Sequence, residues 1–235
     1  MDHRFDRTKL VLGAECLTRL ASTKVAVVGV GGVGGYVVEA LARSGIGGLV
    51  LVDYDRVSIT NLNRQIIALT STIGQAKVDV MAQRVREINP DCKVTVHRVR
   101  YEKRLHRELI PADVDFVADA IDSVGAKVDL IECSLQSDAA LISSLGAGNK
   151  VDPAALVITD ISKTHTCPLA RAVRGALRKR GIHKGVPVVF SNESPKGQRL
   201  GPIPGSTSFV PPAAGLLMAS WIVRQVCEEV ADGSL

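Results

Sequence analysis

Short, wholly apolar runs recur along this chain and alternate with longer stretches in which apolar positions return every three to four residues. The first pattern predicts strands at 24–28, 49–53, 93–100, 114–119 and 140–145, and the second predicts helices at about 33–44, 74–88 and 127–137. Gly45 marks the end of the first of these helices and Asn89-Pro90 the end of the second. Strands that are apolar throughout, rather than alternately apolar and polar, are covered on both faces. Alternation of such strands with helices therefore predicts an α/β fold built on a doubly wound, mainly parallel sheet. Ahead of it, Leu10, Val11, Leu12, Leu17 and Leu20 are interleaved with charge, so residues 1–22 read as a helical arm of the kind that packs on a neighbouring subunit. After Gly148 the rhythm changes to a strand at 156–161, a basic helix from Pro168 to Arg180, a strand at 186–191, a Gly/Pro/Ser-rich loop at 192–208 and a closing helix at about 212–231. The chain is read as one unit over 1–235: the arm, a nucleotide-binding core at 23–150, and a divergent C-terminal part at 151–235 that holds the substrate.

The strand Val25 to Val28 runs into Gly29, Gly31, Gly32 and Gly34. Glycines there permit a tight turn and let the backbone N–H groups of the next helix approach phosphate oxygens, the Rossmann-like arrangement for a nucleotide. Asp53 ends the second strand, where an acid holds ribose hydroxyls in ATP-binding and NAD-binding proteins alike. The residues after Asp53 separate the two. Asp55, Asn61, Asn63, Arg64, Gln65 and Lys77 place cations and amides just past the ribose acid, which suits a triphosphate and a leaving pyrophosphate better than a nicotinamide. Taken singly, Arg64 and Lys77 read as solvated surface charges; taken with Asn61 and Gln65 they read as phosphate ligands. Asp122, after the strand at 114–119, reads by itself as a helix cap.

Composition changes this picture in three places. A chain of 235 residues with 46% hydrophobic content can bury a full core. Its apolar stretch at 213–223 is too short to cross a bilayer and its N-terminus lacks the apolar core of a signal peptide, so a soluble cytoplasmic protein without membrane contact is expected. Five cysteines, at 16, 92, 133, 167 and 227, form no C-x-x-C pair, so reduced thiols are expected, with neither a disulfide framework nor a four-cysteine zinc site. Cys227 reads as core, and Cys167, just before Pro168, reads as a packed or capping residue rather than a reactive one. The net charge is +5, and Arg171, Arg174, Arg178, Lys179, Arg180, His183 and Lys184 concentrate positive charge on one helix and its C-terminus. Phosphate binding, hence a nucleic-acid partner, fits that run, as does an ordinary solvated face; Lys196 and Arg199 on the next loop could extend it. Aromatic content of 3% does not indicate a base-stacking platform.

These motifs, in this order, resemble the ThiF/MoeB superfamily of ATP-dependent, ubiquitin-activating-like adenylating enzymes over about residues 4–160. The resemblance implies that the glycine loop cradles ATP, that Asp53 holds the ribose, that Asn61, Arg64, Gln65 and Lys77 contact the phosphates, and that Asp122 is associated with Mg²⁺. It further implies that Arg7 is supplied across a homodimer interface. Segments 143–150, 160–164, 168–170 and 205–211 look like the branch that dehydrates threonylcarbamoyladenosine in tRNA to its cyclic form, which extends the resemblance over nearly the whole chain. The implied reaction is adenylation of the threonyl carboxylate, then attack by the neighbouring carbamoyl group within the same molecule. Intramolecular attack at high effective molarity makes a covalent enzyme intermediate unnecessary. A bound monovalent cation and a sulfur-transfer or ubiquitin-like protein partner are left open. The competing readings are activation of a ubiquitin-like sulfur carrier, an NAD-dependent oxidoreductase, and a non-enzymatic RNA-binding protein.

Overall fold

The computed structural model describes residues 3–196 and 204–232, with side chains through Glu228; Arg199 lies outside the described residues. The chain runs through α1 (Asp6–Leu12), α2 (Ala14–Ser22), β1 (Lys24–Val28), α3 (Gly34–Ser44), β2 (Gly48–Val52), α4 (Lys77–Ile88), β3 (Lys93–His97), α5 (His106–Leu109), β4 (Phe116–Asp119), α6 (Val124–Ser134), β5 (Ala140–Ser144), β6 (Leu156–Asp160), α7 (Pro168–Arg178), β7 (Pro187–Ser191) and α8 (Val210–Asp232). The seven strands form one sheet in the order β3-β2-β1-β4-β5-β7-β6. Every pairing is parallel except β6 with β7. The doubly wound fold expected from the apolar runs is therefore present. β1 and β2 are buried along almost their whole length, and side chains of alternating parity enter two apolar clusters, one on each face. Burying a valine or leucine this completely contributes roughly 1.5–3 kcal/mol, which is why such strands occupy the sheet centre.

Glycines set two close approaches on the first face. A Cβ at Gly34 would lie 1.8 Å from the Gly29 carbonyl oxygen, and one at Gly215 would lie 2.4 Å from that of Val33, so α3 sits tight on β1 and α8 tight on α3. Gly45, at φ 89°, ends α3 by donating its N–H to the carbonyls of Ala42 and Leu41. Between α3 and α4, buried Glu39 accepts from Arg84 at 2.6 Å and from Arg43 at 2.8 Å. Burial pushes the Glu39 carboxyl up, but those hydrogen bonds outweigh it and hold the pKa below the ordinary value. Helix α8 starts two residues earlier than expected because Pro211 and Pro212 fall in its first turn, where missing N–H groups leave no bond unmade.

Three expectations are corrected. Cys16 of α2 and Cys227 of α8 form a disulfide across 211 residues of sequence, with Cα atoms 5.0 Å apart; Cys92, Cys133 and Cys167 are free. Distant cysteines carry no local spacing signal, and it is the packing of α2 on α8 that brings these two together. The strand expected over 93–100 stops at His97, since exposed Arg98, Val99 and Arg100 leave the sheet edge. Helix α4 begins at Lys77, not 74. Residues 70–72 form a separate 3-10 turn, and the segment before Lys77 is bound to residues 55–57 through Val57 N–H to Gln75 O and Gly74 N–H to Val57 O. Among the described residues no helix is long and apolar enough to cross a membrane.

Candidate nucleotide site

In an open parallel sheet, ligands bind beyond the C-terminal strand ends where the winding reverses. Here that point lies between β1 and β4, and a cleft of about 680 Å³ opens there. The Gly29 N–H donates to Val52 O at 2.8 Å and Ala120 N–H to Val28 O at 2.9 Å, so the turns leaving β1 and β4 are held against the strand ends. Gly29 adopts φ 91°, and a Cβ there would lie 2.7 Å from Ala120 O. Gly31 and Gly32 line the cleft beside it. Gly34 does not; its role is the contact with Gly29.

Asp53 comes directly after β2. Its Oδ2 accepts from Val30 N–H at 2.7 Å and its Oδ1 from Asp55 N–H at 2.8 Å, so one carboxylate ties the glycine loop to the turn after β2 while still facing the cleft. Lys77, 5% exposed, points its Nζ to Asp55 Oδ2 at 2.7 Å. The binding of residues 74–77 to residues 55–57 makes that pairing possible, for Lys77 N–H also donates to Asp55 O. Asn61 is buried and fixes its own turn by accepting Ser58 N–H. Gln65, 6% exposed, leaves Oε1 without a partner. An unpaired buried amide oxygen at a cleft wall costs about 1–3 kcal/mol unless water or ligand satisfies it. Arg64 lines the same wall and is held by Thr60 O at 3.0 Å and Asn63 Oδ1 at 2.9 Å. Asn63 itself is outside the cleft and donates to Ser206 O.

Asp122 lines the opposite wall with an exposed carboxylate. The cap position of α6 belongs to Ser123, so Asp122 is free of the capping role that sequence left open. Beneath it lies a buried cluster that pattern reading missed. Lys127 and Asp119, both 0% exposed, pair at 2.7 Å; Ser143 donates to the same Asp119 oxygen at 2.6 Å, and Asp119 Oδ1 accepts Ile121 N–H at 3.1 Å. Asp119 thus braces the turn that carries Asp122. The available signal was a lysine inside an apolar helix pattern. The far wall is the end of β5 and the loop after it, residues 144–150, with Cys167 and Pro168. Cys167 is buried, accepts Ala170 N–H at 3.5 Å as the α7 cap, and lies where a Cβ on Gly146 would be 2.9 Å away, so it packs and caps as expected. Lys150, also missed, is 2% exposed and donates to Ser191 O at 3.1 Å. Burial pushes its ammonium down, more than Cys167 and Glu193 push it up.

Arg7 lies on α1, exposed and outside this cleft; α1 buries none of its residues. On α7 and just after it, Arg171, Arg178, Lys179 and Lys184 are exposed, whereas Arg174 donates to Thr164 O at 2.6 Å and Arg180 pairs with Asp129 and Glu132.

The family model described as the ThiF family matches residues 5–233. The tRNA threonylcarbamoyladenosine dehydratase of Bacillus subtilis is 45% identical over an alignment of 246 positions, covering 98% of this chain and 97% of its own. The Escherichia coli protein of the same name is 41% identical over 198 residues, covering 81% of this chain and 74% of its own. The crystal structure of the E. coli tRNA N6-threonylcarbamoyladenosine dehydratase TcdA in complex with ATP is 36% identical, covers 98% of this chain and 96% of that one, and superposes with a TM-score of 0.93. The family match spans nearly the whole chain, and the glycine turn, Asp53 and buried Lys77 are set around one cleft: this chain belongs to the ThiF family.

Proposed function

We propose that this chain is an ATP-dependent tRNA threonylcarbamoyladenosine dehydratase. The observation that carries the reading is the cleft itself, which joins the glycine turn, Asp53, Gln65, Lys77 and Asp122 in one space, in a chain 45% identical over nearly its full length to a protein of that name. The cleft fits a nucleoside triphosphate. Gly31 and Gly32 carry no side chain where they line the cleft, so phosphate can approach the backbone there, the orphaned Gln65 Oε1 awaits a donor, and Lys77 and Arg64 supply cations.

The threonyl carboxylate of the modified adenosine attacks the α-phosphate of ATP, and the bond to pyrophosphate breaks. Two anions meet in that step, so charge neutralisation is what the protein has to supply. Lys77 leaves Asp55 for the phosphates, and Arg64 pivots on its neutral partners Thr60 O and Asn63. Asp122 would hold Mg²⁺. This ion keeps several waters and takes one or two carboxylates plus phosphate oxygens, which suits a lone exposed carboxylate; it supplies further positive charge at the phosphates. The carbamoyl group then attacks the activated carbonyl carbon, the ring closes, and AMP leaves with the oxygen of the former carboxylate. The net change in the nucleoside is loss of one water.

A homodimer completes the site. Arg7 is exposed on an arm helix that has no fully buried residue and shows Leu10 at 73% and Val11 at 83% exposure, so a partner's cleft is where it acts. Arg171, Arg178, Lys179 and Lys184 hold tRNA phosphates. The test is AMP and pyrophosphate formation with tRNA bearing the threonylcarbamoyl group, beside unmodified tRNA and a ubiquitin-like carrier protein. Turnover only with the modified tRNA is expected; turnover only with the carrier protein overturns the reading.

A further inference from the structure

A second run of positive charge lies outside the basic helix. Residues 98–107 contain Arg98, Arg100, Lys103, Arg104 and Arg107 against one carboxylate, Glu102, and all five cations are exposed. The fold joins this run to the basic end of α7. Lys103 Nζ and Arg180 Nη1 both bind the same oxygen, Oε2 of Glu132 on α6, each at 2.6 Å. At its other end the run enters the wall of the nucleotide cleft, where Arg100 lies over the ring of Tyr54, 5.8 Å from its centroid. Tyr54 is next to the ribose acid in sequence and is 59% exposed at the cleft mouth.

We propose that residues 98–107, continuous with the basic end of α7 through Glu132, form the track along which the RNA backbone reaches the cleft, with Tyr54 and Arg100 receiving the unstacked bases beside the reacting nucleoside. This inference rests on the proposed tRNA substrate. Some of these cations already have partners: Arg98 pairs with Asp79 and Arg104 with Glu102. Such exposed pairs are worth about 0–1 kcal/mol, so a phosphate displaces them readily. Arg107 faces no carboxylate among the described residues, and Arg100 is held only by the tyrosine face. A strip of cations leading to an aromatic–guanidinium pair matches what splayed single-stranded RNA requires, backbone charge and then a stacking surface. The low aromatic content of the chain hides this, because one exposed tyrosine in the right place suffices.

The test measures tRNA binding by filter retention across a salt series for Arg104→Glu/Arg107→Glu, neither residue lining the cleft, and for the milder Arg104→Gln/Arg107→Gln, with folding checked by circular dichroism. About tenfold weaker tRNA binding, a log Kd against log salt slope shallower by about 1–2, and unchanged ATP affinity are expected. Tyr54→Ala is expected to weaken tRNA binding without changing that slope. Wild-type affinity and slope in both double variants, while the wild-type protein binds and dehydrates tRNA, overturn the track alone; a changed sedimentation mass with unchanged tRNA binding reassigns the surface to a protein contact. Failure of the wild-type protein itself to bind tRNA overturns the tRNA reading as well.

Discussion

In the proposed reaction Lys77 concentrates the chemistry of the site in one side chain. Buried to 5% exposure and paired only with Asp55, it is a cation kept ready by a carboxylate that sits at the cleft rim. Lys77→Met is expected to lower kcat/KM by about 10²–10³, the usual cost of losing one preorganised charge at a developing anion, with stability nearly unchanged because Asp55 is solvated. Steady-state pyrophosphate release beside a thermal melt checks both halves. Lys127 behaves oppositely: Lys127→Met leaves Asp119 buried without its cation, and about 3–5 kcal/mol of stability is expected to go, read from urea midpoints. The glycines, Asp53, Gln65, Lys77 and Asp122 were legible because each lies in a local motif, at a turn, a strand end or a fixed spacing from one. Lys127 and Lys150 were not, since their meaning comes from Asp119, Ser143 and Ser191, brought near by sheet pairing.

At the scale of elements, α3 and α4 are tied by Glu39 with Arg84 and Arg43. The folded-state pKa of Glu39 is lowered, so its contribution is complete above the ordinary glutamate value near 4.5 and is lost as pH falls through the folded value. Melting temperature is therefore expected to drop more steeply below about pH 4.5 in the native protein than in Glu39→Gln, whose melting temperature at pH 7 is lower. Parallel melts from pH 7 to pH 3 decide it; equal acid slopes would contradict the pairing. Most elements were legible because an apolar run such as Val25 to Val28 can satisfy its surroundings only as a buried strand. The ends were less so. β3 stops at His97 and α4 starts at Lys77 because of where neighbouring segments pair, and the Cys16–Cys227 link between α2 and α8 has no signature shorter than the fold itself.

Across the whole molecule, two connections join distant parts. The disulfide closes a loop of 211 residues, for which chain entropy alone gives about 5 kcal/mol, so Cys16→Ser is expected to lower the urea midpoint clearly and a reductant to do the same to the wild type. The second is the proposed contact between protomers of a homodimer. Arg7→Ala and Lys77→Met proteins, each inactive, are expected to recover roughly a quarter of wild-type activity when mixed and allowed to exchange, because half the dimers then carry one complete site. No recovery would place Arg7 outside the partner's cleft. The central claim, that this cleft uses ATP to remove water from threonylcarbamoyladenosine in tRNA, is tested most directly by mass spectrometry of nucleosides from tRNA bearing that modification after incubation with the protein, ATP and Mg²⁺, beside a control without ATP. ATP-dependent loss of one water from that nucleoside is expected; an unchanged nucleoside, with tRNA intact and ATP bound, would contradict the claim.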